Sequence, residues 1–129
     1  MIKNNIMGIG HIGIPTSDIE NAKIFYQGLG FKIEGTEYLS NRDQHVVFLS
    51  LGGTMLEIYE EKMTCSSEGP INHIAIDIVD ADGLFKEISQ AGYNVVAPGI
   101  EELPFWNSGI KFFKIIGPDS VVIEFCERK

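Results

Sequence analysis

Cysteine, arginine, tryptophan and long apolar runs are all scarce in this chain. Two cysteines, Cys65 and Cys126, are too few for a disulfide scaffold and form no Cys-x-x-Cys metal pattern. Both are expected to be plain thiols in a reducing compartment. No stretch approaches the roughly 20 apolar residues needed to span a bilayer, so no transmembrane helix is expected. The opening MIKNNIMGIGHIGIP has one lysine, no sustained apolar core and no small-residue cleavage site, which does not read as a secretory signal. The protein is therefore expected in the cytoplasm. Positive charge is also short. Against 18 acidic residues stand 10 basic ones, giving a net charge of −8, and the cations do not cluster. Such a surface repels phosphate backbones, so no nucleic-acid partner is expected.

What the chain does have is a repeat. HIGIPTSDIENAKIFYQGLGFKI, from His11, aligns without a gap on HIAIDIVDADGLFKEISQAGYNV, from His73, 62 positions later. The shared positions have local physical roles. Alternating Ile12 and Ile14, like Ile74, Ile76 and Ile78, predict a strand. Asp18 and Asp80 stand where helix N-caps belong, and Gly30 and Gly92 where left-handed C-terminal residues belong. Between them runs an apolar stripe, Ala22, Tyr26 and Leu29 in the first copy and Leu84, Ile88 and Ala91 in the second, with Phe25 and Phe85 beside it. Three further stretches of strand character follow each helix: FKIEGTEYLS, HVVFLSL and TMLEIYE, then NVVA, GIKFFKII and SVVIEF.

Each half thus reads as βαβββ, and the fold class is α+β. The first module spans about residues 7–60, a polar linker about 61–70, and the second module about 71–127. A chain of 129 residues accommodates the two as a single domain. One module cannot easily cover both faces of its sheet, which makes duplication physically expected.

Strand alternation assigns the faces. With Ile12 and Ile14 under the helix, His11 and Gly13 point away from it; in the second half His73, Ala75 and Asp77 do the same. In the last strand of each module, Met55, Glu57 and Tyr59 share one face, and Val122, Glu124 and Cys126 another. A carboxylate on an otherwise apolar strand face needs a partner or a metal to offset desolvation. Taken singly, a strand histidine is most often a packed residue and a strand glutamate most often solvated. Together they differ: each module supplies one His on its first strand and one Glu on its last, 46 and 51 residues on. Two imidazoles and two carboxylates form a His₂Glu₂ set suited to a divalent first-row metal, with two octahedral positions left for substrate.

These motifs resemble the vicinal oxygen chelate superfamily, the glyoxalase/bleomycin-resistance/dioxygenase group. GHIGIPTSDIENAKIFYQGLGFKI is similar to its opening motif, GGTMLEIYE to the end of its first module, INHIAIDIVD to its second opening and IGPDSVVIEF to its ending. The resemblance implies paired βαβββ modules whose eight strands form a cup, with metal ligands at His11, Glu57, His73 and Glu124. Nickel, cobalt or zinc is the implied metal, with manganese or iron as further candidates. It implies a homodimer too, in which the ligands come from one chain or from both.

Extradiol dioxygenases and fosfomycin-resistance members generally lack an acid matching Glu57, so its presence favours epimerase-like chemistry or the glyoxalase I-like branch. In the latter, proton transfer proceeds through a metal-bound enediolate, with Glu124 as the base and Glu57 as its counterpart. The substrate class is a small α-hydroxycarbonyl or thiol adduct. Glyoxalase I enzymes keep an arginine four residues after the first ligand; here that position is Pro15, and the only arginines are Arg42 and Arg128, which argues against glutathione. Two alternatives stay open, a methylmalonyl-CoA epimerase-like enzyme and a ligand-sequestering protein of bleomycin-resistance type. An oxygenase strictly requiring Fe(II) and O₂ is a further class.

Other residues carry weaker expectations. His45 either faces the cup from a middle strand or lies on the surface beside Asp43. Met55 and Tyr59 share Glu57's face as pocket lining or as core. Phe105 and Trp106, in ELPFWNSG, either close over a substrate or anchor the loop. Asp77 either orients His73 or is solvated.

Overall fold

The duplicated pattern folds twice into the same plan. The computed structural model describes residues 5, 7–64 and 69–129, and the chain divides into two compact units, Met1–Thr64 and Cys65–Lys129. The division falls within the 61–70 linker stretch, of which Cys65 and residues 66–68 lie outside the described residues.

In the first unit β1 (Ile12–Thr16) leads into α1 (Ile19–Gly28), followed by β2 (Lys32–Leu39), β3 (Gln44–Leu51) and β4 (Thr54–Glu60). The sheet order is β1-β4-β3-β2, with β1 and β4 parallel and the other pairs antiparallel. In the second unit β5 (Ile74–Ile78), α2 (Ala81–Gln90), β6 (Asn94–Val95), β7 (Glu101–Leu103), β8 (Ile110–Ile116) and β9 (Val122–Arg128) repeat the arrangement. Its order is β5-β9-β8-β6, with β7 also on β8 and β5 parallel to β9. This is the α+β fold of two βαβββ modules.

The helix signals act as their chemistry requires. Asp18 accepts a hydrogen bond from the Asn21 amide and Asp80 from that of Gly83, each at 3.0 Å, filling one orphan donor of the first turn. Both helices close with the same paired bonds. Phe31 N–H donates to Tyr26 O (3.0 Å) and Gly30 N–H to Gln27 O (3.0 Å); Tyr93 donates to Ile88 (3.4 Å) and Gly92 to Ser89 (3.3 Å). The motif requires a left-handed residue, which Gly30 (φ +98°) and Gly92 (φ +85°) supply.

Beneath α1, Val47, Leu49, Leu56 and Ile58 are wholly buried together with Ala22 and Tyr26. Beneath α2, Phe113, Ile115 and Ile123 are wholly buried, and Phe85 meets Phe113 edge to face at 5.2 Å. Burial of each large side chain contributes about 1.5–3 kcal/mol. Leu84 and Phe85 are half-buried, whereas Ala91, expected on the apolar stripe, is exposed.

Nine strands are present among the described residues, where the sequence pattern predicts eight. The extra one is β7, taken from the start of the long loop expected over Glu102 to Gly109. Pro98 has no N–H to donate, and Gly99 turns back at φ +100° to donate to Val96 O at 3.0 Å. The strand breaks there and resumes on β8 at Glu101, opposite Phe112. Among the described residues no helix is long and apolar enough to cross a membrane.

Replacing either cap, Asp18→Ala or Asp80→Ala, is expected to destabilise the protein by about 1 kcal/mol in urea unfolding, since one first-turn amide loses its acceptor. Phe113→Ala, at the centre of the second core, is expected to cost about 3–5 kcal/mol in the same measurement.

Candidate metal centre

His11 and His73 each stand one residue before the first strand of their module. Strand parity places them with Gly13 and Ala75, on the face away from the helix. The parallel register sets Glu57 opposite Gly13 and Glu124 opposite Ala75, so each glutamate is a diagonal neighbour of its histidine. Because the directly opposed residue is small in both modules, the imidazole and carboxylate can lean toward each other. His11 Nε2 lies 3.2 Å from Glu57 Oε2, and His73 Nε2 lies 3.7 Å from Glu124 Oε2. The second pair is deeper: the Glu124 side chain is 12% exposed and that of Glu57 27%.

Both pairs have the chemistry of a half-site for a divalent ion. Donors about 2.0–2.2 Å from one first-row ion stand roughly 3–3.5 Å apart at ordinary coordination angles. The 3.2 Å pair lies in that range and the 3.7 Å pair just beyond it. His73 Nδ1 is 2.8 Å from Asn72 Oδ1. An amide oxygen accepts, so Nδ1 donates, and in the neutral ring Nε2 then presents its lone pair toward Glu124, the tautomer a metal requires. Two acceptors facing each other are stabilised by a cation between them. Within either module the described residues bring no third His, Cys, Asp or Glu to the pair.

The weaker candidates separate clearly. Met55 and Tyr59 lie on Glu57's face, both half-buried, with the Tyr59 ring against Gly13. His45 does not face that way. Its parity is that of Val47 and Leu49, which puts it on the helix side, where it lines a small recess with Ile19, Lys23 and Thr36. Its amide and Nδ1 both donate to Glu60 Oε1, at 2.7 and 2.5 Å, and its ring lies 4.8 Å from that of Tyr38. The partner is thus Glu60 rather than Asp43; Asp43 instead accepts from the Tyr38 hydroxyl at 2.6 Å, which raises the phenol above its ordinary pKa.

Phe105 and Trp106 are 52% and 68% exposed, so they do not anchor their loop by burial. Trp106 instead faces the Arg128 guanidinium at 4.9 Å. Arg128 follows Glu124 by four residues, roughly 13 Å along the strand. Asp77 is exposed and opposes Cys126; Asn72, not Asp77, orients His73. Burial, aided by Glu124 and Asp77, raises the Cys126 thiol above its ordinary pKa and keeps it a neutral packing group.

Three residues near the pairs are absent from the candidates that the sequence offers. Asn72 adjoins His73, but nothing in a dipeptide reveals which way an amide turns. Phe48 opposes Glu57 and meets the His11 ring edge to face at 6.1 Å. Lys114 opposes Glu124. The signal for both is parity: HVVFLSL and GIKFFKII are antiparallel partners of the glutamate strands, and the residue directly opposite each glutamate shares its face.

Comparison with known proteins places the fold. The chain is 29% identical over 127 residues to the uncharacterized protein YwbC of Bacillus subtilis (strain 168), covering 93% of this chain and 97% of that protein. Among solved structures it shares its fold with a glyoxalase family protein from Enterococcus faecalis (TM-score 0.79, 21% identity, 95% of this chain and 99% of that chain). It also shares it with the fosfomycin resistance protein FosX from Listeria monocytogenes, complexed with Mn(II) and sulfate ion (TM-score 0.75, 16% identity, 96% and 94%). The Glyoxalase/Bleomycin resistance protein/Dioxygenase superfamily profile matches residues 8–125, and the chain belongs to that superfamily.

Proposed function

We propose that the protein is a cytoplasmic, glyoxalase I-like metalloenzyme that moves a proton between adjacent carbons of a small α-hydroxycarbonyl or thiol-adduct substrate. His11, Glu57, His73 and Glu124 would hold one divalent ion, with nickel, cobalt or zinc favoured, in a homodimer whose ligands come from one chain or from both. The observation that carries this reading is the recurrence of a close His–Glu pair at the same place in each module. A cup that only sequesters its ligand has no evident use for two such pairs.

When bound, the divalent ion supplies positive charge to two neighbouring substrate oxygens and so acidifies the adjacent C–H bond. The chain's own groups do the rest. His73, oriented by Asn72, and His11, against Phe48, would serve as neutral imidazole donors, leaving the site's negative charge to the two carboxylates. Glu124 takes the proton from one carbon and returns it to the next, and Glu57 is its counterpart from the other module. Pro15, in place of the arginine of glutathione-dependent relatives, points to a thiol other than glutathione.

Metal analysis of protein loaded with nickel, cobalt, zinc or manganese, followed by assays on hemithioacetals of several thiols, tests the reading. Glu124→Gln is expected to lower kcat by about 10²–10⁴-fold while metal content is retained. Full activity in that variant would remove Glu124 as the base. His11→Ala and His73→Ala are each expected to weaken metal binding by more than about tenfold, since loss of an outer partner alone costs that much. Tight ligand binding by metal-free protein, with no turnover in any metal form, would instead support sequestration.

A further inference from the structure

Lys114 has no charged counterpart in the first module. It lies on β8 directly opposite Glu124, on the face that carries the His73–Glu124 pair. The corresponding position opposite Glu57 holds Phe48. A lysine here interrupts buried Phe112 and exposed Ile116, its neighbours on the same face, and lies diagonal to buried Val122 and Cys126. Half-buried there, the ammonium loses part of its hydration, which an anion in contact would offset.

Nearby cations are already engaged. Lys111 donates to Asp82 at 2.7 Å, Lys129 pairs with Glu102, and Arg128 faces Trp106. The Lys114 ammonium, among the described residues, forms no ion pair and rests 6.0 Å from the Phe112 ring centroid. Although opposed to Glu124, it extends along its strand instead of closing on that carboxylate. Thus a part-buried cation stands free beside the deeper of the two glutamates, in a chain of net charge −8 where carboxylates are abundant. An anion brought by a ligand meets it at low local dielectric, where one charge-assisted hydrogen bond is strong.

We infer that Lys114 is a specificity-determining residue, whose ammonium binds an anionic group, a carboxylate or a phosphonate, carried by the substrate beyond its paired oxygens. This inference rests on the metalloenzyme reading above. It narrows the substrate from any small α-hydroxycarbonyl or thiol adduct to an acidic one, with the acidic end on the second module's sheet.

Two chelating probes separate the outcomes: acetohydroxamate, which offers two neighbouring oxygens and no further charge, and phosphonoacetohydroxamate, which adds an anionic end. Both are titrated calorimetrically into metal-loaded wild-type protein, Lys114→Met, Lys114→Gln and Lys114→Arg, with metal content measured in each. The Met and Gln variants are expected to bind the phosphonate probe roughly 10-fold more weakly than wild type, within the span of one charged hydrogen bond. They are expected to bind acetohydroxamate within about twofold of wild type, and Lys114→Arg to retain most of the phosphonate affinity. Equal losses on both probes, or no loss on either, with metal retained, would overturn the assignment of Lys114 and leave the metal site standing. Absence of metal from the wild-type protein would overturn the metalloenzyme reading, and this one with it.

Discussion

The parallel pairing of the first strand of each module with its last is the constraint on which the rest depends. β1 on β4 and β5 on β9 bring together residues 46 and 51 positions apart in the chain and set them on one face of a sheet. Only a crossover permits that pairing, so the helix is a geometric necessity as well as a cover for one face. A slip of one residue in either register would turn the glutamate under its helix and carry its buried neighbours, Leu56 and Ile58 or Ile123 and Phe125, out of the core. The apolar helix face therefore holds the polar pair on the other side of the same strands in position.

Duplication makes two nearly equivalent pairs, and the differences between them are chemical. In the first module the pair is flanked by rings, Phe48 against His11 and Tyr59 against Gly13. In the second it is flanked by groups that hydrogen-bond or carry charge, Asn72 on His73 and Lys114 opposite Glu124. Two similar His–Glu pairs thus have unlike neighbours. The modules agree where folding needs it, at the caps and the first strand, and diverge in the residues around the His–Glu pairs.

Much of this was legible in the chain. His-Ile-x-Ile, the capping aspartates and the closing glycines each have a local cause, and they fall at identical offsets in both copies. The faces of Glu57 and Glu124 followed from alternation alone. His45 was not legible in the same way: its neighbours in sequence allow either face, and the register against β4, which sets it beside Glu60, is a long-range fact. Strand β7 was hidden because its residues, Glu-Glu-Leu, have weak strand propensity, and pairing with β8 supplies what propensity lacks.

The sequence by itself determined the repeat, the α+β plan, the ends of both helices and the identity of the four candidate ligands, because these depend on short-range periodicity and on the conformational demands of single residues. Tertiary structure alone decided that each histidine comes within 3.2 or 3.7 Å of its glutamate, that Asn72 rather than Asp77 orients His73, and that Lys114 stands opposite Glu124 without closing on it. Those facts depend on strand register and on where long side chains come to rest. Register follows from packing summed over a whole sheet, so no local stretch of the chain contains it.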